Sequence, residues 1–316
     1  MSEPIVLHED AKPRARRPVL GYAMVLSATA LWGINGSMAK AALSSGLTSL
    51  RLTEVRSTGA AIVLVAALAL TRPQSLRITR SELPFLLLFG VVGLAFVQLF
   101  YFVAIHRLDI GVALLIQYLA PVLIALYARL VLKEHVRRRV WAALILSLGG
   151  LSLVVDLWSG VALDGIGVAA SLASAVTFAL YILLAEKAVA RRDPVSLLAL
   201  GFTFAAIFWA IVQPWWSFPT EYLDDRIHMN GEVFASTLPV WALLVGVVLV
   251  GTIVPFLLLV AALRHIRATR AGVTAMFEPV AGALVAWAWL GESLTTTQLI
   301  GGAVVLTGIL LAQTAR

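Results

Sequence analysis

The side chain with the clearest chemical potential in this sequence is a glutamate inside an apolar, helix-length stretch. Glu278 sits in Phe277-Glu278-Pro279-Val280, a run that continues through Ala281 to Leu290 and closes with Gly291-Glu292. It lies about seven residues in from the basic flank Arg264 to Arg270. At the helical rise that depth is roughly 10 Å below a membrane surface, within a hydrocarbon layer about 30 Å thick. A charge there is costly, and intramembrane acids face a cavity or a partner rather than lipid. Two chemistries follow. In one, Glu278 lines a polar pathway and binds a cationic group or carries a proton. In the other, Pro279 withholds a backbone N–H and a protonated Glu278 hydrogen-bonds a carbonyl freed on its own or a neighbouring helix.

Few other polar groups sit in apolar runs, and each must find a partner or water. Trp32, Asn35 and Ala39 share a helical face, where Asn35 either contacts a solute or holds two helices together. Gln98 and Tyr101 share another. Gln117, Pro121, Ala125 and Arg129 follow i, i+4 steps, with Arg129 expected to reach the surface. Ser171, Ser174, Phe178 and Tyr181 form a stripe suited to lining or to close packing. Gly251, Thr252 and Pro255 mark a kink or unwinding point, so Pro121, Pro255 and Pro279 are the expected hinge positions. Glu54 and Arg56 are two residues apart, on different faces, near an end where hydration lowers the cost of charge; Arg56 reads as a packing or topology residue, with substrate contact the alternative.

These residues are carried by ten apolar runs, at about 19–42, 51–71, 83–105, 110–131, 138–156, 164–187, 195–215, 238–263, 269–290 and 295–314. Hydrophobic residues make up 60% and charged ones 13% of the chain, against about half and a quarter in soluble domains, so most of it belongs in lipid. With the N-terminus inside, 19 of the 24 Lys and Arg fall on the inner side, which places both termini in the cytoplasm. The net charge of +7 therefore encodes topology, and nucleic acid is not an expected partner. Residues 1–18 read as a polar, disordered cytoplasmic tail without a cleavable leader. The loop 215–238, with Trp215, Trp216, Glu221, Asp224, Asp225 and Glu232, is expected outside as a solvated connector. The five His are scattered and Cys is absent, so no metal centre, other cofactor or disulfide is expected.

Shifted by 158 residues, the chain matches itself. Pro121-Val122 falls on Pro279-Val280, Ala125-Leu126 on Ala283-Leu284, Ala128 on Ala286, Leu132 on Leu290 and Glu134 on Glu292. Five crossings per half is odd, so the second copy enters from the opposite side, the arrangement by which secondary transporters build two gates around one midplane site. The expected fold is an all-α membrane protein of ten transmembrane helices in two inverted five-helix repeats, 19–156 and 164–314.

The same residues resemble a family. Leu83 through Gly93, Tyr101, Ala104 and Arg107-Leu108, then Gln117-Tyr118-Leu119-Ala120-Pro121-Val122 and Leu132-Lys133-Glu134, are similar to the first half of an EamA-type permease of the drug/metabolite transporter superfamily. Gly251-Thr252, Pro255, Ala261-Ala262-Leu263, Glu278-Pro279-Val280, Leu290-Gly291-Glu292 and Gln298-Leu299-Ile300-Gly301 are similar to the second half. Arg56 and Trp32-Gly33 fit as well. Lys133 departs, since the family usually has Gly there, and loop 215–238 is longer than typical. The resemblance implies a central cavity lined by spans 1, 3, 4, 6, 8 and 9, and export of small metabolites such as amino acids across the inner or plasma membrane. Trp32, Asn35, Gln98, Tyr101, Gln117, Ser174, Phe178, Tyr181, Thr252 and Glu278 are the expected pathway residues, with Glu278 the candidate carrier of a coupled proton. No Walker motif occurs, so nothing in the sequence points to ATP. An intramembrane enzyme acting on lipid-linked or small hydrophobic substrates is the alternative. It would need a nucleophile–base pair or metal ligands at membrane depth, and no catalytic set of that kind stands out. A channel would usually need oligomeric symmetry or a ring of charge.

Overall fold

Lipid offers no hydrogen bonds, so each apolar run must satisfy its own backbone by coiling. The computed structural model describes residues 17–105, 107–108, 110–155, 164–233, 235–291 and 293–314, and in it each run is helical. Most of the tail and Glu292 lie outside the described residues. The helices are α1 (Pro18–Leu43), α2 (Ser49–Thr71), α3 (Leu83–Ala104), α4 (Ile110–Gln117 and Ala120–Leu130), α5 (Arg138–Val154), α6 (Gly165–Ala188), α7 (Pro194–Val212), α8 (Val240–Ala262), α9 (Ala268–Leu290) and α10 (Thr296–Gln313). Among the described residues nine helices are long and apolar enough to cross a membrane; α5, with 17 residues, is shorter. The protein is thus a mostly helical, multi-pass membrane protein.

Four helices are irregular, and the irregularities position the polar residues. Helix α3 is π-helical over Leu88–Phe96 and α8 over Leu249–Ile253, where the wider turn releases carbonyls from the regular ladder. Helix α4 breaks at Tyr118-Leu119 and α9 at Met276-Phe277, and each resumes with a proline in its first turn, Pro121 or Pro279, where the missing N–H costs nothing. Pro255 opens the regular part of α8 after its π segment. All three expected hinge prolines therefore stand at helix irregularities. Of the expected stripe, Gln117 ends one helical piece, and Pro121, Ala125 and Arg129 follow i, i+4 steps within the next.

Several features recur at the 158-residue interval. Tyr118-Leu119 and Met276-Phe277 are so related, as are Lys133 (φ 54°) and Gly291 (φ 73°), each left-handed beyond a helix end. For Gly291 that conformation is free of Cβ strain, whereas Lys133 bears about 1 kcal/mol of it; the Glu134 N–H closes the turn onto the Ala128 carbonyl at 2.9 Å. Packing follows the same order. Helix α5 lies along α10, α2 along α7, α3 against α6 and α1 against α8. The α5–α10 pair meets backbone to backbone: a Cβ on Gly301 would stand 2.6 Å from the Gly150 carbonyl oxygen.

Segment 215–239 is more ordered than a connector. Strands β1 (Arg226–Asn230) and β2 (Ala235–Pro239) form an antiparallel hairpin with Arg226 opposite Pro239. Met229 is buried among Met38, Ala41, Leu47, Leu243 and Val247 at the ends of α1, α2 and α8. The Val233 N–H donates to the Ala288 carbonyl at 2.9 Å and Trp289 Nε1–H to Ser236 Oγ at 2.9 Å, tying the hairpin to the end of α9. The expectation of a solvated connector is overturned by this apolar burial.

Candidate functional site

Two charged side chains define the centre of the helix bundle. Glu278 follows the break in α9, near the middle of that helix, and is half-buried. Its Oε2 accepts a hydrogen bond from the Tyr118 hydroxyl at 2.6 Å, a short bond. Tyr118 occupies the break in α4, so the two interrupted helices present their irregular turns to each other. Of the two chemistries open to Glu278, bonding to a freed carbonyl is not seen among the described residues, where its hydrogen-bond partner is this phenol.

Arg56 is the second charge, and its expected place in a hydrated end region is wrong. It is 8% exposed and donates from Nε to Thr252 Oγ1 at 3.0 Å, from Nη1 to Gln98 Oε1 at 3.1 Å and from Nη2 to the Gly251 carbonyl at 3.4 Å. Thr252 in turn donates to the Val247 carbonyl at 2.7 Å, which orients its oxygen to accept from Arg56. The π segment of α8 thus supplies both a carbonyl and a hydroxyl to a residue of α2. Arg56 and Glu278 lie within electrostatic reach of each other and of Tyr101. Among the described residues no ion pair joins them. Glu54, also expected near a hydrated end, is fully buried and pairs with Arg51 at 2.7 Å, on a different face from Arg56 as the spacing predicts.

Aromatic rings wall this centre. Trp32 packs edge-on against Phe256 at 5.3 Å, Phe256 against Tyr181 at 5.6 Å, Tyr181 stacks on Phe178 at 6.2 Å, and Phe178 meets Tyr118 edge-on at 6.5 Å. The wall runs from α1 through α8 and α6 to α4 and ends on the ring that holds Glu278. Asn35 presses on Gly251, where any Cβ would overlap it. Among the described residues Asn35 Oδ1 and the Tyr181 hydroxyl have no hydrogen-bond partner.

Of the ten pathway residues expected, Trp32, Asn35, Gln98, Tyr101, Phe178, Tyr181, Thr252 and Glu278 come together in this cluster or its wall. Ser174 is engaged in packing, donating to the Val97 carbonyl at 3.1 Å. Gln117 ends its helical piece, half-buried, beside Tyr118. Sequence reasoning missed Tyr118 and Phe256. Tyr118 carried a signal, since it precedes the Pro121 break at the register of Met276, two residues before Glu278. A recess of about 670 Å³, lined by Leu47, Thr48, Arg51, Gln213, Ser217 and others, opens at the ends of α1, α2 and α7. Arg51 in its wall is five residues along α2 from Arg56, about 7.5 Å of helical rise.

Comparison with known proteins bears on this arrangement. The description "EamA-like transporter family" matches residues 19–156 and again 165–314. An uncharacterized transporter of Archaeoglobus fulgidus is 29% identical over 67% of this chain and 70% of its own length. The threonine/homoserine exporter RhtA of Escherichia coli is 25% identical over 82% of this chain and 79% of its own. The inner membrane transporter YicL of Salmonella typhimurium, itself uncharacterized, is 25% identical over 92% and 94%. A solved structure superposes with a TM-score of 0.72 at 20% identity, covering 92% of this chain and 96% of that one; it speaks to the fold alone.

Proposed function

The chain belongs to the EamA-like transporter family, and from that premise we propose that it is a secondary transporter exporting small polar solutes, amino acids among them, by alternating access. The observation that carries this is the pair Arg56, buried, and Glu278, half-buried, ionisable groups of opposite sign in an apolar bundle with no ion pair between them. Unpaired buried charge is costly, and it is suited to a centre that a polar guest completes. The similarity to a threonine/homoserine exporter supports an amino acid as that guest.

In this reading ten helices cross the membrane as two inverted halves, 19–156 and 164–314, with both termini cytoplasmic. The family's double match, the recurrence of breaks and left-handed turns at 158 residues, and the packing order support it. Helix α5, at about 25 Å of rise, spans most of the hydrocarbon layer. Trp32, Asn35, Gln98, Tyr101, Gln117, Phe178, Tyr181 and Thr252 line the pathway, while Ser174 couples α6 to α3. The halves rock where Pro121, Pro255 and Pro279 interrupt their helices. Glu278, held by Tyr118, exchanges a proton with each cycle.

Proteoliposomes tested with a panel of amino acids, with and without a pH gradient, examine this directly. Glu278→Gln should abolish gradient-driven transport while leaving the protein folded. Proton-driven transport unchanged by the substitution removes Glu278 from the coupling.

A further inference from the structure

We infer that Arg56 is the receptor for a carboxylate on the transported solute, an assignment that rests on the transporter reading above. A guanidinium has five N–H donors. Among the described residues three are engaged, by Thr252 Oγ1, Gln98 Oε1 and the Gly251 carbonyl. Nη1 and Nη2 each make one of these bonds, so each keeps one N–H without a protein acceptor. One free donor on each terminal nitrogen is what a carboxylate can take up with its two oxygens.

The charge bookkeeping leads to the same place. Two arginines are buried among the described residues, Arg51 and Arg56. Arg51 has Glu54 at 2.7 Å; all three acceptors of Arg56 are neutral. A buried cation whose hydrogen-bond acceptors are all neutral and which has no ion-pair partner in contact is costly to hold, and an anion that enters with the solute relieves that cost. Asn35 supplies an independent observation. It is 9% exposed, lies against Gly251, whose carbonyl binds Arg56, and its Oδ1 lacks a partner. Surplus donors on Arg56 thus stand near a surplus acceptor on Asn35. The solute that meets both is a small monocarboxylate bearing an N–H or O–H donor close to its carboxylate. Glu278 lies within electrostatic reach of the same guanidinium. Organic cations without a carboxylate, and neutral apolar compounds, leave the two donors unfilled.

The test uses the full-length protein in detergent at constant ionic strength, with its melting temperature followed by tryptophan fluorescence. The probes are acetate, glycine and alanine, each against its amide: acetamide, glycinamide and alaninamide. At saturation an acid should raise the melting temperature of the wild type by about 2 °C. The amides should not, Arg56→Gln should lose the response, and Arg56→Lys, a charge without the guanidinium, should recover part of it. Equal stabilisation by acids and amides, an undiminished response in Arg56→Gln, or no stabilisation of the wild type by any acid overturns the assignment. The wild-type comparison stands even where a variant does not fold. Counterflow in proteoliposomes separates this inference from the one beneath it. Stabilisation by the acids without transport of any amino acid keeps the Arg56 site and defeats the transporter reading. Transport of amides as fast as acids keeps the transporter and defeats the site.

Discussion

Replacing Arg51 by methionine isolates the contact that closes the N-terminal end of α2 against the segment after α7. Arg51 donates to Glu54 Oε2 at 2.7 Å, to the Pro214 carbonyl at 3.2 Å, and to the Ser217 carbonyl and hydroxyl at 3.0 and 2.6 Å. Glu54 is fully buried, and its other oxygen has no partner, so removing the cation strands a carboxylate. Breaking a buried pair from one side costs about 3–5 kcal/mol, whereas replacing both members by apolar groups is near neutral. The double variant Arg51→Met/Glu54→Leu then loses chiefly the bonds to Pro214 and Ser217, about 1–3 kcal/mol net. At about 2 °C per kcal/mol for a chain of this size, Arg51→Met should melt roughly 6–10 °C below wild type and the double variant roughly 2–6 °C below. Thermal unfolding in detergent micelles, read by tryptophan fluorescence and completed with Glu54→Leu alone, gives the full cycle. A single variant that melts no lower than the double, or strictly additive losses, would show that Glu54 does not depend on Arg51 and refute the reasoning.

Two further outcomes follow from local geometry. Gly301→Val drives a side chain into the Gly150 backbone, which cannot yield, and should lower the melting temperature by about 2–6 °C. Gly149→Val, where a Cβ meets open space, should leave it nearly unchanged, and equal losses would argue against close α5–α10 packing. Glu82, just before α3, has its carboxyl held below the usual range, first by the Thr79 backbone N–H and also by Arg192. A depressed native value means its stabilisation is complete above the ordinary carboxylate range and is lost as pH falls through the native value. Melting curves of wild type should therefore decline on the acid side more steeply than those of Glu82→Gln; parallel declines would exclude the effect.

Helix positions were legible because lipid leaves each apolar run one way to satisfy its backbone, and the basic flanks mark the ends. The run 138–156 therefore became Arg138–Val154, and 269–290 became Ala268–Leu290. Proline announced Pro121, Pro255 and Pro279, although it could not say that α3 and α8 widen into π turns. Glu278 stood out through the cost of its charge. The burial and partners of Arg56 were not legible because its acceptors are 42 and 196 residues away along the chain, a distance that periodicity on one helix cannot cross. Tyr118 was overlooked for the same reason, being 160 residues from Glu278. The hairpin of β1 and β2 escaped notice because the acidic side chains of segment 215–238 suggest solvent, while the burial is carried by Met229, with Ile227 and Leu238 packed beside it.

The inverted arrangement of two five-helix halves underlies the proposed mechanism, and the chain's lack of cysteine makes it directly testable. His135 and Ser293 are exposed residues 158 positions apart, just beyond the ends of α4 and α9. Single variants His135→Cys and Ser293→Cys, probed in intact cells with a membrane-impermeant maleimide, should label from opposite sides. Ser293→Cys should react from outside, and His135→Cys only after permeabilisation. Labelling of both from the same side would contradict the inversion and the alternating-access mechanism built on it.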